Sequence, residues 1–163
     1  LLTLMISATF TGRIIKKYDD ILASVVILAS YIPMLMDSAG NAGSQSSTMI
    51  IRGLALGEIQ LRDLSKVIWK EFRIGIIFGI TMAVVNTARI YFFDGVGIWI
   101  SLTVSISLFI TIMLAKIVGG SLPMIAKRLR LDPAIMAGPL ITTIVDAVAL
   151  LIYFQLATVL LGL

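Results

Sequence analysis

The chain has 163 residues, a formal net charge of +4 and a mean hydropathy of +1.06; 59% of its residues are hydrophobic and 13% charged. A soluble domain carries about 25% charged residues, so the composition excludes an ordinary soluble fold and points to one domain whose solvent is lipid. The absence of Cys and His excludes a disulfide framework, a thiolate metal site and the commonest transition-metal ligand.

The basic balance is no nucleic-acid signal, because the Lys and Arg residues fall at span ends and in loops. The first residue is Leu1 rather than Met, and the start does not resemble a cleavable signal peptide, so the chain is expected to begin inside a larger protein. Residues 1–12 are apolar but would span only about 18 Å as a helix. That is too little to cross unless the helix begins upstream or continues through Lys17, and the stretch reads as the remainder of a first transmembrane helix. Arg13, Lys16, Lys17, Asp19 and Asp20 suggest a short polar loop, with Tyr18 at the membrane interface.

The second span is expected over 21–51, with Asp37 as its only charge before the basic end. Pro33 predicts a kink or local break, because proline lacks the N–H and obstructs the previous turn. The small residues from Ser38 to Ser44 let another backbone approach. Residues 52–73 are mixed and charged; Leu61, Leu64, Ile68 and Phe72 suggest an amphipathic helix along the headgroups, anchored by Trp69. The third span, 74–93, carries Gly75 and Gly79 as a small-residue pair, then Asn86 and Arg89. Asp94-Gly95 signals a turn, and the fourth span, 96–118, must return antiparallel to the third.

Residues 119–131 read as a basic loop. Asp132-Pro133 opens the fifth helix, with Asp at the N-cap and Pro in the first turn. Residues 134–163 are almost wholly apolar and hold one charge, Asp146. As a helix they reach roughly 45 Å against about 30 Å of hydrocarbon. Nine of the Lys and Arg residues (Arg52, Arg62, Lys66, Lys70, Arg73, Lys116, Lys127, Arg128, Arg130) lie on one side, and four (Arg13, Lys16, Lys17, Arg89) on the other. The positive-inside rule then makes the first side cytoplasmic, with the N-terminus inside and the C-terminus outside a cell membrane.

The chemistry lies in two polar stripes. Ser30, Asp37, Asn41, Ser44 and Thr48 recur at helical steps on the second span, and Gly138, Thr142, Asp146 and Tyr153 on the fifth. A helix does not offer such a face to lipid. Asp146 lies about 18 Å from the start of its helix, near the level of Asp37 and Asn41, while Thr48 comes nearer Gly138. A carboxylate at mid-depth costs at least about 2.5 kcal/mol and needs a partner, a proton or an ion-filled cavity.

Each feature also has a plainer reading. Ser30 and Thr143 are as well explained by hydroxyl bonds to their own helix. Glycines four apart serve packing more often than gating. Arg73, Arg89 and Lys116 read as snorkelling ends, and Asp132 as a helix cap. The oxygen donors suit Mg²⁺, Ca²⁺ or Mn²⁺, and composition does not separate these. A cation/proton exchanger with Asp146 as relay is the rival transporter reading. An intramembrane aspartyl protease would need an aspartate dyad, and the contexts Met36-Asp37 and Val145-Asp146 do not resemble one.

The run PMLMDSAGNAGSQSSTMIIRGLALGE over 33–58, then Asp132-Pro133-Ala134, GPLITTIVD over 138–146 and LIYF over 151–154, resembles the MgtE family of magnesium channels across the whole chain. The resemblance implies a five-helix membrane domain in a homodimer, with the second and fifth helices lining one central pore. It implies that Asp146 of both subunits binds hydrated Mg²⁺. It places Ser44 and Thr48 along the pore, the Thr142 carbonyl near the ion, and Asp132 at a cytoplasmic ion-sensing position. Gly138 departs from members with Asn there. Family members usually carry cytoplasmic regulatory domains, including a CBS pair, which this chain does not contain.

Overall fold

In the computed structural model, which describes residues 2–136 and 138–162, the chain is all helical: α1 (Leu2–Lys17), α2 (Asp19–Ser24), α3 (Ile27–Leu56), α4 (Leu64–Arg89), α5 (Ile98–Arg128) and α6 (Pro139–Leu161). Three segments among the described residues are long and apolar enough to cross a membrane, Leu61–Asp94, Ile98–Arg128 and Leu140–Leu161. They carry α4, α5 and α6. α3 has the length, at 30 residues, but its run from Asp37 to Thr48 is too polar. α1, at 16 residues, is too short.

α5 is the hub, packed against α3, α4 and α6. Its 31 residues would reach about 46 Å, and small residues let its neighbours come close. On the α4 side, a Cβ on Gly75 would lie 3.0 Å from the Met113 Cα, and one on Gly79 would lie 2.9 Å from Phe109 Cδ2. Toward α3, a Cβ on Gly119 would collide with the Gly43 carbonyl oxygen. The buried hydroxyls of α5 are largely met within the helix: Ser107 donates to the Thr103 carbonyl at 2.7 Å and Thr103 to that of Trp99 at 2.8 Å. Asn86 of α4 donates across to Ser105 at 3.3 Å.

The core continues through Leu28, Leu35, Ala39 and Ala42 of α3 to Ile141, Val145, Ala149 and Tyr153 of α6. The α6 residues step by four and so share one face. Tyr153 is fully buried and donates to the Leu28 carbonyl at 2.9 Å, which pins the register of α6 on α3. α1 lies against α6, where Tyr18 stacks on Phe154 with ring centroids 4.7 Å apart.

Several expected boundaries move. The first helix runs through Lys17, so Arg13, Lys16 and Lys17 are helical rather than in a loop. The break in the second span falls at Val25, with φ −137° and ψ 78°, and α3 runs on through Pro33. A proline inside a helix forfeits one backbone bond, and the packing of Tyr31, Ile32 and Leu35 on both sides outweighs that loss.

The amphipathic stretch is no separate helix; after Gly57 (φ 75°) ends α3, it forms a 3₁₀ turn over Leu61–Asp63 and the first turns of α4. Trp69 remains exposed and stacks on Phe72. The expected basic loop over 119–131 is mostly helix, because α5 continues through Pro123 to Arg128, and Gly119, Gly120, Pro123 and Met124 are buried. Lys127 bonds the Leu54 carbonyl at 3.2 Å, capping the end of α3. Lys116 does not snorkel; it is buried, with its ammonium 5.8 Å from the Phe78 ring centroid. The turn at Asp94-Gly95 stands, with Gly95 left-handed at φ 67°.

Candidate cation site

Along α3, Pro33, Asp37, Asn41, Gln45 and Thr48 are all exposed, while Leu35, Ala39, Ala42, Ser46 and Ile50 on the other side are buried. This is the pattern of an amphipathic helix. α6 meets the edge of that polar face. Its Ile141, Val145 and Ala149 anchor it in the core, which leaves Thr142 and Asp146, one turn apart, turned toward α3. Gly40 makes the approach possible: a Cβ there would lie 3.2 Å from Thr142 Cγ2 and 3.9 Å from Asp146 Oδ1.

The two helices line an open cavity of about 480 Å³. Asp37, Asn41, Ser44, Thr142 and Asp146 line it, with Ile32, Pro33, Met36 and Gly40. Both charged lining residues are carboxylates; no Lys or Arg reaches the cavity. Asp146 Oδ1 is buried and accepts no hydrogen bond. A desolvated carboxylate oxygen without a donor is costly, so the cavity calls for a positive charge. The donors are carboxylate, amide and hydroxyl oxygens, the hard set that suits Mg²⁺, Ca²⁺ or Mn²⁺. Among the described residues no three Asp, Glu, His or Cys side chains group as a metal cage. An ion held by two carboxylates keeps much of its water, as Mg²⁺ tends to do.

The structure thus brings Asp37, Asn41, Ser44, Thr142 and Asp146 together and leaves five other stripe or site residues apart. Thr48 continues the α3 face but does not line the cavity; its hydroxyl bonds the Ser44 carbonyl at 2.9 Å. Gly138 is the N-cap of α6 at φ 91°, followed by Pro139. Asp132 is exposed and caps a 3₁₀ turn, Pro133–Met136, accepting from the Ala134 N–H at 2.9 Å, so Asp132-Pro133 opens that turn rather than α6 itself. Ser30 bonds the Ile27 carbonyl at 2.6 Å, as its plainer reading anticipated, and lines a different cavity. Tyr153 leaves the expected stripe for the core.

Sequence reasoning did not single out Gly40 as a wall of the site, although it stands within the GNAG motif. It also took Glu71 as part of an interfacial helix. Glu71 is buried and accepts from Ser46 at 2.6 Å, a single bond that ties α3 to α4. Only its spacing of four from Gly75, on the packed side of α4, hinted at this.

Residues 32–156 match the family model MgtE, described as a divalent cation transporter. The chain is 36% identical over 161 residues to the magnesium transporter MgtE of Thermus thermophilus, covering 99% of this chain and 35% of that protein. It is 37% identical over 158 residues to the Bacillus subtilis protein of the same name, covering 97% and 35%. A third relative, from Enterococcus faecalis, is 30% identical over 163 residues. The chain spans about a third of the length of these relatives.

Proposed function

Because the chain belongs to the MgtE family of divalent cation transporters, we propose that it forms the membrane pore of a Mg²⁺ channel, working as a homodimer. The observation that carries this reading is Asp146 Oδ1, buried and without a donor in a cavity whose charged walls are both acidic. In the proposed pore, Asp146 of each copy attracts a hydrated Mg²⁺ by charge, while Asn41, Ser44 and Thr142 bond its water shell. The membrane potential drives the ion; for two charges it supplies about 4.6 kcal/mol per 100 mV.

The exposed polar face of α3 supports the dimer. Asp37, Asn41, Gln45 and Thr48 are unsuited to acyl chains, and a second copy of α3 and α6 across an axis would turn both faces onto one aqueous path. In this arrangement α1 with α2, and α3, complete five spans with α4, α5 and α6. Thr48, Gly138 and Asp132 mark the exit on the cytoplasmic side, where Arg52, Lys66, Lys127 and Arg128 cluster. Regulatory domains of the kind the resemblance implies would lie outside the third of the relatives' length that this chain covers.

Flux in proteoliposomes tests the reading. Under an inside-negative potential the unaltered protein takes up Mg²⁺ without any pH gradient, and Asp146→Ala lowers uptake by at least tenfold. Unchanged uptake in the variant rejects the assignment of Asp146. Uptake that requires a pH gradient converts the channel into a cation/proton exchanger.

A further inference from the structure

A second cavity, of about 630 Å³, opens between α3 and α4 beside the turn that leads to α5. It shares no lining residue with the cavity beside Asp37 and Asn41, and the proposed ion path makes no use of it. Its rim is ionic. Asp94 accepts from the Tyr31 hydroxyl at 2.9 Å and lies 3.6 Å from the Arg89 guanidinium. Its floor is apolar, made by Met34, Met82, Val85 and Leu108.

Arg89 has five N–H donors, yet its protein partners are distant: the Asn86 amide oxygen at 3.4 Å, Asp94 at 3.6 Å and the Met34 thioether at 3.9 Å. The guanidinium therefore retains donors for a phosphate, its natural bidentate acceptor. The depth is also set. Tyr91, Phe92, Phe93 and Trp99 are exposed around the same turn, an aromatic cluster of the kind that sits at headgroup level. Met82 lies seven residues before Arg89, about 10 Å deeper along the helix. An ionic rim at headgroup level above an apolar floor is the outline of a lipid's polar head and the start of its acyl chain.

We propose that this cavity binds a membrane phospholipid with a primary-ammonium headgroup. The phosphodiester meets Arg89, the ammonium faces Asp94, and one acyl chain enters over Met34, Met82 and Val85. A free phosphate would satisfy Arg89 but leave the apolar floor without a role.

Native mass spectrometry of the delipidated protein, with phosphatidylethanolamine and phosphatidylcholine of identical acyl chains, tests the site. The ethanolamine lipid is retained about tenfold better, the equivalent of one charge-assisted hydrogen bond that a quaternary ammonium cannot donate. Asp94→Asn removes that preference, and Arg89→Gln weakens both lipids. Val85→Trp, at an exposed position, fills the floor and weakens both without burdening the fold. Equal retention of the two lipids by the unaltered protein overturns the proposal. So does displacement of the lipid by millimolar inorganic phosphate, or a photo-crosslinker at position 85 that captures a second copy of the chain instead of lipid.

Discussion

The α4–α5 pair and the α3–α6 pair solve different problems with similar materials. α4 and α5 close on each other through Gly75 and Gly79, join one polar bond between Asn86 and Ser105, and leave Ile77, Val84 and Val85 outside. That outside is what lipid solvates, so the pair is complete within one chain. α3 and α6 also meet at glycines, Gly40 and Gly43, but they leave Asp37, Asn41, Gln45 and Thr48 outside and an acceptor of Asp146 unmet. That junction is incomplete alone. Small residues bring helices together in both places; whether the junction is architecture or a site is decided by what stands beside the glycines.

The comparison breaks most completely at the crossing of α3 and α5 that joins the two pairs. Gly119→Val drives a side chain into the Gly43 backbone, where nothing flexible can yield. The expected cost exceeds about 3 kcal/mol, seen as loss of monodisperse protein or a collapse of Tm; a normal melt would show that the crossing tolerates bulk. Next is Asp146→Asn. Under chelator it should melt within about 1 kcal/mol of the unaltered protein, since it exchanges an unmet charge for an amide. It should lose the stabilisation that Mg²⁺ confers, about 2.7 kcal/mol at a hundredfold excess over Kd. Retained Mg²⁺ dependence would move the ion elsewhere.

Gly79→Ala is smaller. Its methyl group meets the Phe109 ring edge at 2.9 Å and the Phe109 carbonyl at 3.1 Å, and a net loss of about 1 kcal/mol is expected, with the Mg²⁺ dependence of the melt untouched. The finest comparison pairs Thr48→Val with Thr81→Val. Each hydroxyl bonds the carbonyl four residues back at 2.9 Å, so both should change stability by less than about 0.5 kcal/mol. Only Thr48→Val should alter Mg²⁺ flux; equal behaviour would remove Thr48 from the ion path.

Much of the site was legible because helical spacing is a strong signal. Spacing put Asp37, Asn41 and Ser44 on one helix face and Thr142 and Asp146 on another, depth matched Asp37 and Asn41 to Asp146, and all five line one cavity. Ser30 shows the limit. On an ideal helix it stands only about 20° from Asp37, and periodicity cannot say which side of Pro33 a neighbouring helix will claim. Helix ends were less legible. Charge suggested loops at Arg13 and at Lys127, yet each of these side chains extends from a helix that neighbouring segments hold in place. Proline proved a weak stop at Pro33 and Pro123, where buried neighbours outvote one missing bond. Asp94 read only as a turn residue, because its bond to Tyr31 spans 63 positions and no local pattern announces it.

The contact of Gly119 with the Gly43 carbonyl has a mechanical consequence. Two main chains touch there with no side chain between them to compress or rotate, so α3 cannot slide or roll toward α5. The crossing is a fulcrum. In the proposed dimer, widening of the passage beside Asp37 would come from the tilt of α6 or from the facing copy, with the α3–α5 cross moving as a single lever.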